Sequence, residues 1–247
     1  MRGLAMLTRV ELKLFCREPI GLFFTLCFPL LVLFLFGGIY GNEPSLLFGG
    51  YGMVDVSVPC YTAMIIATSG LFSLPIPMAT YRESGVLRRL QATPLHPLTL
   101  LTARVLVIFL MTVLGMVMLV VAARLVYHLH FPGQALNVAG GFLLCCMSFF
   151  ALGFVLAGLL PTARTAQMTA LVLFYPMVFI SGATVPREVL PETMYQYSRF
   201  LPLTYVVTLL RGLWMGGTWG EFRMETFVLI GLMLCGIIIS ALTFRWE

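Results

Sequence analysis

Long apolar stretches recur along the chain, and the segments between them carry the charged residues. A helix needs about 20 apolar residues to cross the hydrocarbon core of a bilayer. Stretches of that order lie at about 20–40, 58–80, 105–123, 137–160, 165–184 and 226–244. None of them contains Asp, Glu, Lys or Arg. The pattern predicts an all-α integral membrane protein with six transmembrane helices.

Residues 1–19 precede the first predicted span and have an amphipathic pattern. Leu4, Leu7, Val10/Glu11 and Leu14 follow one stripe at helical spacing, and the remaining face is basic. A helix of this kind lies on an anionic inner leaflet. We therefore predict an interfacial helix over 1–19 and a single transmembrane domain over 20–247. The alternative is a charged tail that only sets the topology and needs no helix.

A shorter apolar run, 200–210, lies between Arg199 and Arg211. At about 1.5 Å per residue it reaches only half-way across the hydrocarbon core. The segment before it is interrupted by prolines and has apolar residues at helical spacing, among them Tyr197 and Leu201. These features predict a re-entrant hairpin of two short helices, over about 185–211, at the outer membrane face before the last span.

Composition agrees with membrane insertion. The 247 residues are 60% hydrophobic and only 10% charged, whereas a soluble domain carries about 25% charged residues. The net charge of +5 comes mainly from arginine, because Lys13 is the only lysine. The arginines are dispersed and no nucleic-acid-binding motif accompanies them, so their distribution is interpreted as a topology signal and no nucleic-acid partner is expected.

The arginines also predict the orientation. The two short loops 41–57 and 127–136 contain neither Lys nor Arg, whereas the loop 81–104 contains four arginines. Positive residues in short loops stay on the cytoplasmic side. We therefore expect both termini in the cytoplasm, with the loops 41–57 and 127–136 and the hairpin on the outer side.

Motifs for catalysis or metal binding are missing. The sequence has no G-x-x-x-x-G-K-[ST], H-E-x-x-H or G-x-S-x-G. Its six cysteines show no C-x-x-C spacing, and His128 and His130 have no further ligand close in sequence. We expect no catalytic, cofactor-binding or metal-binding residue in this chain. No Asp, Glu, Lys or Arg lies in the middle of a span, where proton- or sodium-driven carriers usually keep such groups. We therefore expect energy to enter from outside the membrane domain. A secondary transporter or channel stays open as an alternative, since backbone carbonyls also bind sodium.

The segment "RESGVLRRLQATPL" at 82–95 is densely charged and lies between two apolar runs. Val86, Leu87 and Leu90 share one helical face, and the arginines leave that face. Thr93-Pro94 ends the helix. Such a short amphipathic helix binds either lipid or a groove in a partner protein, and the acidic Glu83 favours the protein.

Prolines and small residues mark further positions in the spans. Prolines inside apolar runs are Pro29, Pro75, Pro77 and Pro176. They predict kinks, which serve either as hinges or as fixed shape. Ser69 and Ser73, and likewise Gly153 and Ala157, are small residues four positions apart, a spacing that suits close helix packing.

Three segments together resemble a known family. They are "CREPIGLFFTLCFPLLVLFLFGGIYG" at 16–41, "YRESGVLRRLQATPLHPLTLLTAR" at 81–104 and "ISGATVPREVLPETMYQYSRFLPLTYVVTLLRG" at 180–212. In order and spacing they are similar to type-2 ATP-binding-cassette (ABC) exporter permeases, especially those for drugs and antibiotics.

The resemblance implies a function and partners. Two permeases, here expected to be two copies of this chain, assemble with two separate ATPase subunits that bind ATP and Mg²⁺. The expected activity is outward movement of an amphiphilic substrate, drug- or antibiotic-like, across a bacterial inner membrane. Export of a lipid or a glycan by the same mechanism is the alternative. The substrate path would follow the first, second and fifth spans at the subunit interface, with unknown contact residues.

The resemblance also implies roles for particular residues. The residues expected to contact the ATPase, here called the coupling residues, are Arg82, Glu83, Gly85, Val86, Leu87, Arg88, Arg89 and Leu90, with Arg17 and Glu18 as neighbours. The residues expected at an exofacial gate are Pro186, Glu188, Pro191 and Pro202.

Overall fold

Ten α-helices make up most of the residues that the structure, a computed structural model, describes: 2–86, 89, 97–184 and 196–243. In chain order they are α1 Arg2–Cys16, α2 Pro19–Leu22, α3 Phe28–Tyr40, α4 Met53–Thr68, α5 Pro75–Glu83, α6 Pro97–Tyr127, α7 Ala135–Leu159, α8 Ala163–Ile180, α9 Pro202–Trp214 and α10 Arg223–Thr243. No β-strand occurs among these residues.

Six helical stretches are long and apolar enough to cross a membrane, which confirms the predicted fold class. They are Phe23–Tyr40, Met53–Glu83, Thr99–Tyr127, Ala135–Leu159, Ala163–Ile180 and Arg223–Thr243. The second and third are longer than predicted, since they include Asp55 and Arg104. Those side chains are 2% and 0% exposed, and each is held by hydrogen bonds from the fold, so a charge does not end the helix there.

The second span forms the centre of the bundle. In its apolar 18-residue window 94% of the residues are buried, compared with 22% in the first span, 28% in the fifth and 11% in the last. The peripheral spans therefore present apolar side chains outward, including Phe34, Tyr175 and Phe179. This arrangement suits contact with lipid or with another membrane subunit.

Prolines coincide with two π-helical turns in the spans. One turn, Phe23–Cys27, precedes Pro29, and the other, Ser69–Ser73, joins α4 to α5 just before Pro75. Proline lacks an N–H and leaves the carbonyl four residues earlier without its helical donor, and a wider turn is one way to accommodate that loss. Pro176, in contrast, lies within the continuous helix α8.

The closest crossing in the bundle brings α7 against the π-helical turn of the second span. A Cβ atom built on Gly70 would lie 2.6 Å from the carbonyl oxygen of Phe149, and one built on Gly153 would overlap the carbonyl oxygen of Gly70. Ala157, one turn further along α7, is fully buried. The small residues predicted at 153 and 157 therefore do pack closely, and their partner is the second span.

The N-terminal residues form a helix whose buried side includes Glu11 of the predicted stripe and adds Phe15. Phe15 and Glu11 are 0% and 2% exposed, whereas Val10 is 44% exposed. Helix α1 packs against α6, so the stripe faces protein at its centre. A position of α1 on the membrane surface stays a prediction.

The predicted hairpin lies partly outside the described residues. Helix α9, which follows it, begins with Pro202 at its first position and contacts α4, α7 and α10. The Thr204 hydroxyl donates a hydrogen bond to the carbonyl of Ser198 at 2.6 Å, which connects the start of α9 to the preceding turn. Residues 185–195, with Pro186, Glu188 and Pro191, are not among those described, and the re-entrant hairpin stays a prediction.

We expect Gly153→Val to lower the stability of the protein, because its side chain has no room against the backbone of Gly70. Overpacking of this kind costs about 1–3 kcal/mol. Thermal unfolding of the detergent-solubilised protein measures the change. The matched control is Gly38→Val in α3, where nothing lies within 4 Å of the added Cβ. An unchanged melting temperature for Gly153→Val would contradict the close crossing.

Candidate coupling site

A buried ion pair joins α1 to α6 at one end of the bundle, here called the α1 end. Arg104 Nη1 donates to Glu11 Oε2 at 2.9 Å, and the two side chains are 0% and 3% exposed. Removing two charges from water costs several kcal/mol per ion unless good geometry and further hydrogen bonds compensate it. Glu11 has one such bond, since Tyr81 Oη donates to its Oε1 at 3.0 Å.

The same guanidinium also binds the backbone of the second span. Arg104 Nη2 donates to the carbonyl of Ser73 at 2.6 Å. Ser73 is four residues before Pro77, so its carbonyl has lost its usual helical donor. Nη2 also lies 3.5 Å from Glu18 Oε2. We call Glu11, Glu18, Ser73, Tyr81 and Arg104 the Arg104 network; it links α1, the start of the first span, the second span and α6.

The sequence indicated neither the pairing nor its depth. In the sequence, Arg104 is one of several positive residues beside an apolar run, and Glu11 shares its position in the α1 stripe with Val10. A signal was present in retrospect: one acidic residue interrupts an amphipathic stripe, and one arginine begins a long apolar run. Glu11 and Arg104 both lie near one end of the bundle.

Two of the predicted coupling residues turn toward the protein itself. Arg82 Nη1 donates to the carbonyl of Leu160 at 3.1 Å, and Glu83 Oε2 accepts from the backbone N–H of Ala163 at 3.1 Å. Both contacts are to the link between α7 and α8. The end of α5 is thereby fixed to the fourth and fifth spans, and contact of Arg82 and Glu83 with an ATPase stays a prediction.

The segment after α5, residues 84–90 and here called the coupling segment, turns at a glycine. Gly85 has φ +69°, a left-handed conformation that glycine adopts at low cost. The N–H of Arg89 then bonds to the carbonyl of Gly85 at 3.2 Å, as in a helical turn. Val86 is half-buried and Arg89 is exposed. Leu87, Arg88 and Leu90 lie outside the described residues, so their role stays a prediction.

Arg17 and Glu18 lie on a groove of about 410 Å³ at the α1 end. Its walls come from the junction of α1 and α2, from the second span around Phe72 and Tyr81, and from Gln167 of α8. The structure therefore places Arg17 and Glu18 beside Thr80 and Tyr81, just before the coupling segment. Burial raises the pKa of the Glu18 carboxyl above its ordinary value, and the attraction of Arg104 offsets that shift only in part.

A second polar cluster, centred on Asp55, closes the opposite end of the second span. Asp55 Oδ1 accepts from Asn42 Nδ2 and from the N–H of His130, both at 2.9 Å, and its Oδ2 accepts from the N–H of Gly52 at 3.2 Å. Asn42 Oδ1 in turn accepts from the first N–H groups of α4. Sequence reasoning missed Asp55 and Asn42. Within the described ranges, no three His, Cys, Asp or Glu side chains are placed to hold a metal.

We expect Arg104→Met to destabilise the protein strongly, because Glu11 would then be a buried charge without its partner. Breaking a buried pair in this way costs about 3–5 kcal/mol. The double variant Glu11→Met/Arg104→Met should regain much of the loss, since neither charge remains. Thermal unfolding measures all three proteins, with Arg124→Met, an exposed arginine on the same helix, as the control. A double variant no more stable than the single one would contradict the pairing.

Comparison with known proteins identifies the family. The model of the ABC-2 type transporter family matches residues 2–215. The protein named "Putative transport permease ycf38" from Pyropia yezoensis is 27% identical over 221 residues, covering 87% of this chain and 74% of the relative. Its counterpart from Cyanophora paradoxa is 27% identical over 217 residues, covering 85% and 72%. That from Porphyra purpurea is 26% identical over 246 residues, covering 97% and 83%. The chain, with its six apolar helices and a family match over most of its length, belongs to the ABC-2 type transporter family of membrane transport permeases.

Proposed function

We propose that the chain is the membrane-spanning permease subunit of an ATP-driven exporter, and that a separate ABC ATPase subunit hydrolyses ATP. The family in general implies a transport permease with an ABC ATPase partner. The proposal adds a stoichiometry of two copies of this chain and two ATPases. It assigns ATP and Mg²⁺ to the partner, with no catalytic or cofactor-binding residue in this chain.

The proposed cargo is an amphiphilic molecule, drug- or antibiotic-like, moved outward across a bacterial inner membrane. With both termini in the cytoplasm, the α1 end of the bundle faces the ATPase and the Asp55 end faces outward. The four arginines of the loop 81–104, and the lack of Lys and Arg in the two short loops 41–57 and 127–136, support this orientation. Helix α1 would then lie at the inner leaflet with its basic residues toward lipid headgroups.

The observation that carries the proposal is the connection between the coupling segment and the centre of the bundle. The segment follows α5 directly, and α5 continues the most buried span of the protein. Arg82 and Glu83 fix that end of α5 to the α7–α8 link. A force applied by an ATPase to the segment would therefore move the second, fourth and fifth spans together.

This geometry divides the predicted coupling residues into two groups. Arg82 and Glu83 position the segment, whereas the exposed Arg89 and its neighbours Leu87, Arg88 and Leu90 would contact the ATPase. Gly85 and Val86 form the turn between the two groups. Arg17 and Glu18 lie on the groove beside the second span and would respond to the movement of the segment.

The substrate path and the outer gate complete the proposal. The first and fifth spans are only 22% and 28% buried, so they have free surface for a second copy of the chain. The third and last spans are as exposed or more so, at 28% and 11%, and it is the family resemblance that assigns the path to the first, second and fifth spans. At the outer end, the region of Pro186, Glu188, Pro191 and Pro202 would close the exit. Helix α9, whose first residue is Pro202 and which packs on the second span, supports that closure.

We expect charge reversal at Arg88→Glu, alone or with Arg89→Glu, to abolish association with the ATPase or ATP-dependent transport while membrane insertion is retained. The reason is that these side chains would meet the partner directly. Co-purification with the ATPase and transport in proteoliposomes measure the effect, with Arg124→Glu at the other end of α6 as the control. Survival of both association and transport in the double variant would refute the coupling role.

For Arg82→Ala and Glu83→Ala the expected result differs. The ATPase should still bind, because the contact surface remains, but transport per ATP hydrolysed should fall since the end of α5 is no longer fixed to the α7–α8 link. Parallel assays of ATP hydrolysis and transport in the reconstituted complex measure this ratio. Loss of ATPase binding in these variants would show that Arg82 and Glu83 are contact residues instead.

A requirement for nucleotide tests the mechanism as a whole. Transport by the purified chain in liposomes without ATP or an ATPase would contradict the proposal and favour a secondary transporter or channel. Transport only in the presence of the ATPase and ATP is the expected result.

A further inference from the structure

The groove at the α1 end combines apolar walls with two polar groups that point at the same gap. Its volume is about 410 Å³, and its apolar walls include Phe72, Ile76 and Pro77 of the second span. A Cβ atom added to Gly21 would lie 3.6 Å from Ser73 Oγ and 3.7 Å from Glu18 Oε2. The hydroxyl and the carboxylate therefore both lie next to the space that Gly21 leaves open.

Ser73 supplies a buried polar atom whose hydrogen-bonding capacity is unused. The residue is only 2% exposed, and its Oγ has no hydrogen-bond partner among the described residues. Its carbonyl, by contrast, is held by Arg104. A buried hydroxyl without a partner costs free energy, so a ligand group able to hydrogen-bond would be favoured at this position.

The charged side chains at the groove favour a ligand group that is positively charged. Two carboxylates, Glu11 and Glu18, share the single guanidinium of Arg104, which lies 2.9 Å from Glu11 but 3.5 Å from Glu18. Among the ion pairs of the described residues, Glu18 has Arg104 as its only partner. Arg17 is the cation among the described residues that line the groove, and its side chain is exposed to solvent. One negative charge is thus left weakly compensated beside an apolar wall.

We propose that this groove binds the ammonium group of an amphiphilic amine, with Glu18 Oε2 and Ser73 Oγ as its partners and the apolar body against Phe72, Ile76 and Pro77. An ammonium group donates several hydrogen bonds and neutralises the excess charge. A free amphiphilic amine and the headgroup of an aminophospholipid share this chemistry. The identification of the ligand as cargo rests on the proposed export function, whereas the binding site itself does not.

Binding is tested on the purified full chain in nanodiscs of phosphatidylcholine, without ATPase or nucleotide. The probe is a dansyl-labelled long-chain alkyl diamine with one free ammonium group, and its N-acetylated form is the neutral reference. Glu18→Gln removes the charge at constant shape, and Ser73→Ala removes the hydroxyl. Matched controls are Glu43→Gln, an exposed carboxylate, and Ser57→Ala, a buried serine on the same span.

The expected result is that the wild-type chain binds the ammonium probe more tightly than the acetylated one. Glu18→Gln should weaken ammonium binding by about tenfold or more, the range for a hydrogen bond to a charged group, and leave the acetylated probe unchanged. Ser73→Ala should give a smaller loss of the same kind, and both controls should behave as wild type. Equal affinity for the two probes in the wild-type chain, or an unchanged ratio in Glu18→Gln, overturns the proposal. So does equal loss of both probes.

The source of the ammonium group is resolved by adding phosphatidylethanolamine to the nanodiscs. Displacement of the probe identifies an aminophospholipid as the ligand, and retention identifies a free amphiphilic amine; either result supports ammonium recognition. Because no ATPase is present, failure of probe binding leaves the export proposal intact. Conversely, if the chain binds the ammonium probe but never associates with an ATPase, the proposed binding site stands and the proposed ATP-driven export is refuted.

Discussion

The fold depends on one guanidinium group. Arg104 is fully buried and contacts Glu11 of α1, the carbonyl of Ser73 and, more weakly, Glu18. In an apolar environment each of these groups would be costly alone. These costs offset one another, because the groups bind each other. Pro77 leaves the Ser73 carbonyl without a helical donor, and Arg104 supplies one while also pairing with Glu11. The N-terminal helix is therefore part of the bundle's core at this point.

This constraint explains how a protein made almost entirely of apolar helices acquires specific geometry. Apolar side chains pack against lipid and against each other with little directional preference, whereas close contacts and hydrogen bonds do specify register. The contact between Gly70 and Gly153 sets how closely the second span and α7 approach each other. The Arg104 network and the bonds from Arg82 and Glu83 fix the α1 end. Position in the bundle is thus set by few residues.

The sequence predicted the features that depend on local composition. The number of spans follows from the length of the apolar runs. Pro29 and Pro75, where the sequence predicted kinks, each follow a π-helical turn. The pairing of Glu11 with Arg104 could not be predicted, because these residues are 93 positions apart in sequence and nothing local specifies which helices meet. For the same reason the sequence does not predict that Arg82 and Glu83 bind the end of α7 and the start of α8.

Polar clusters at both ends of the second span limit how that helix moves. Asp55 is bound at one end to Asn42 and to the backbone of His130, and Arg104 holds the carbonyl of Ser73 toward the other. Sliding the helix along its axis would break both clusters at once, with several charged or buried groups left unpaired. Bending at the π-helical turn Ser69–Ser73 breaks neither cluster fully. The second span is thus constrained against sliding along its axis, and the π-helical turn Ser69–Ser73 is where a bend would change the angle between its two halves.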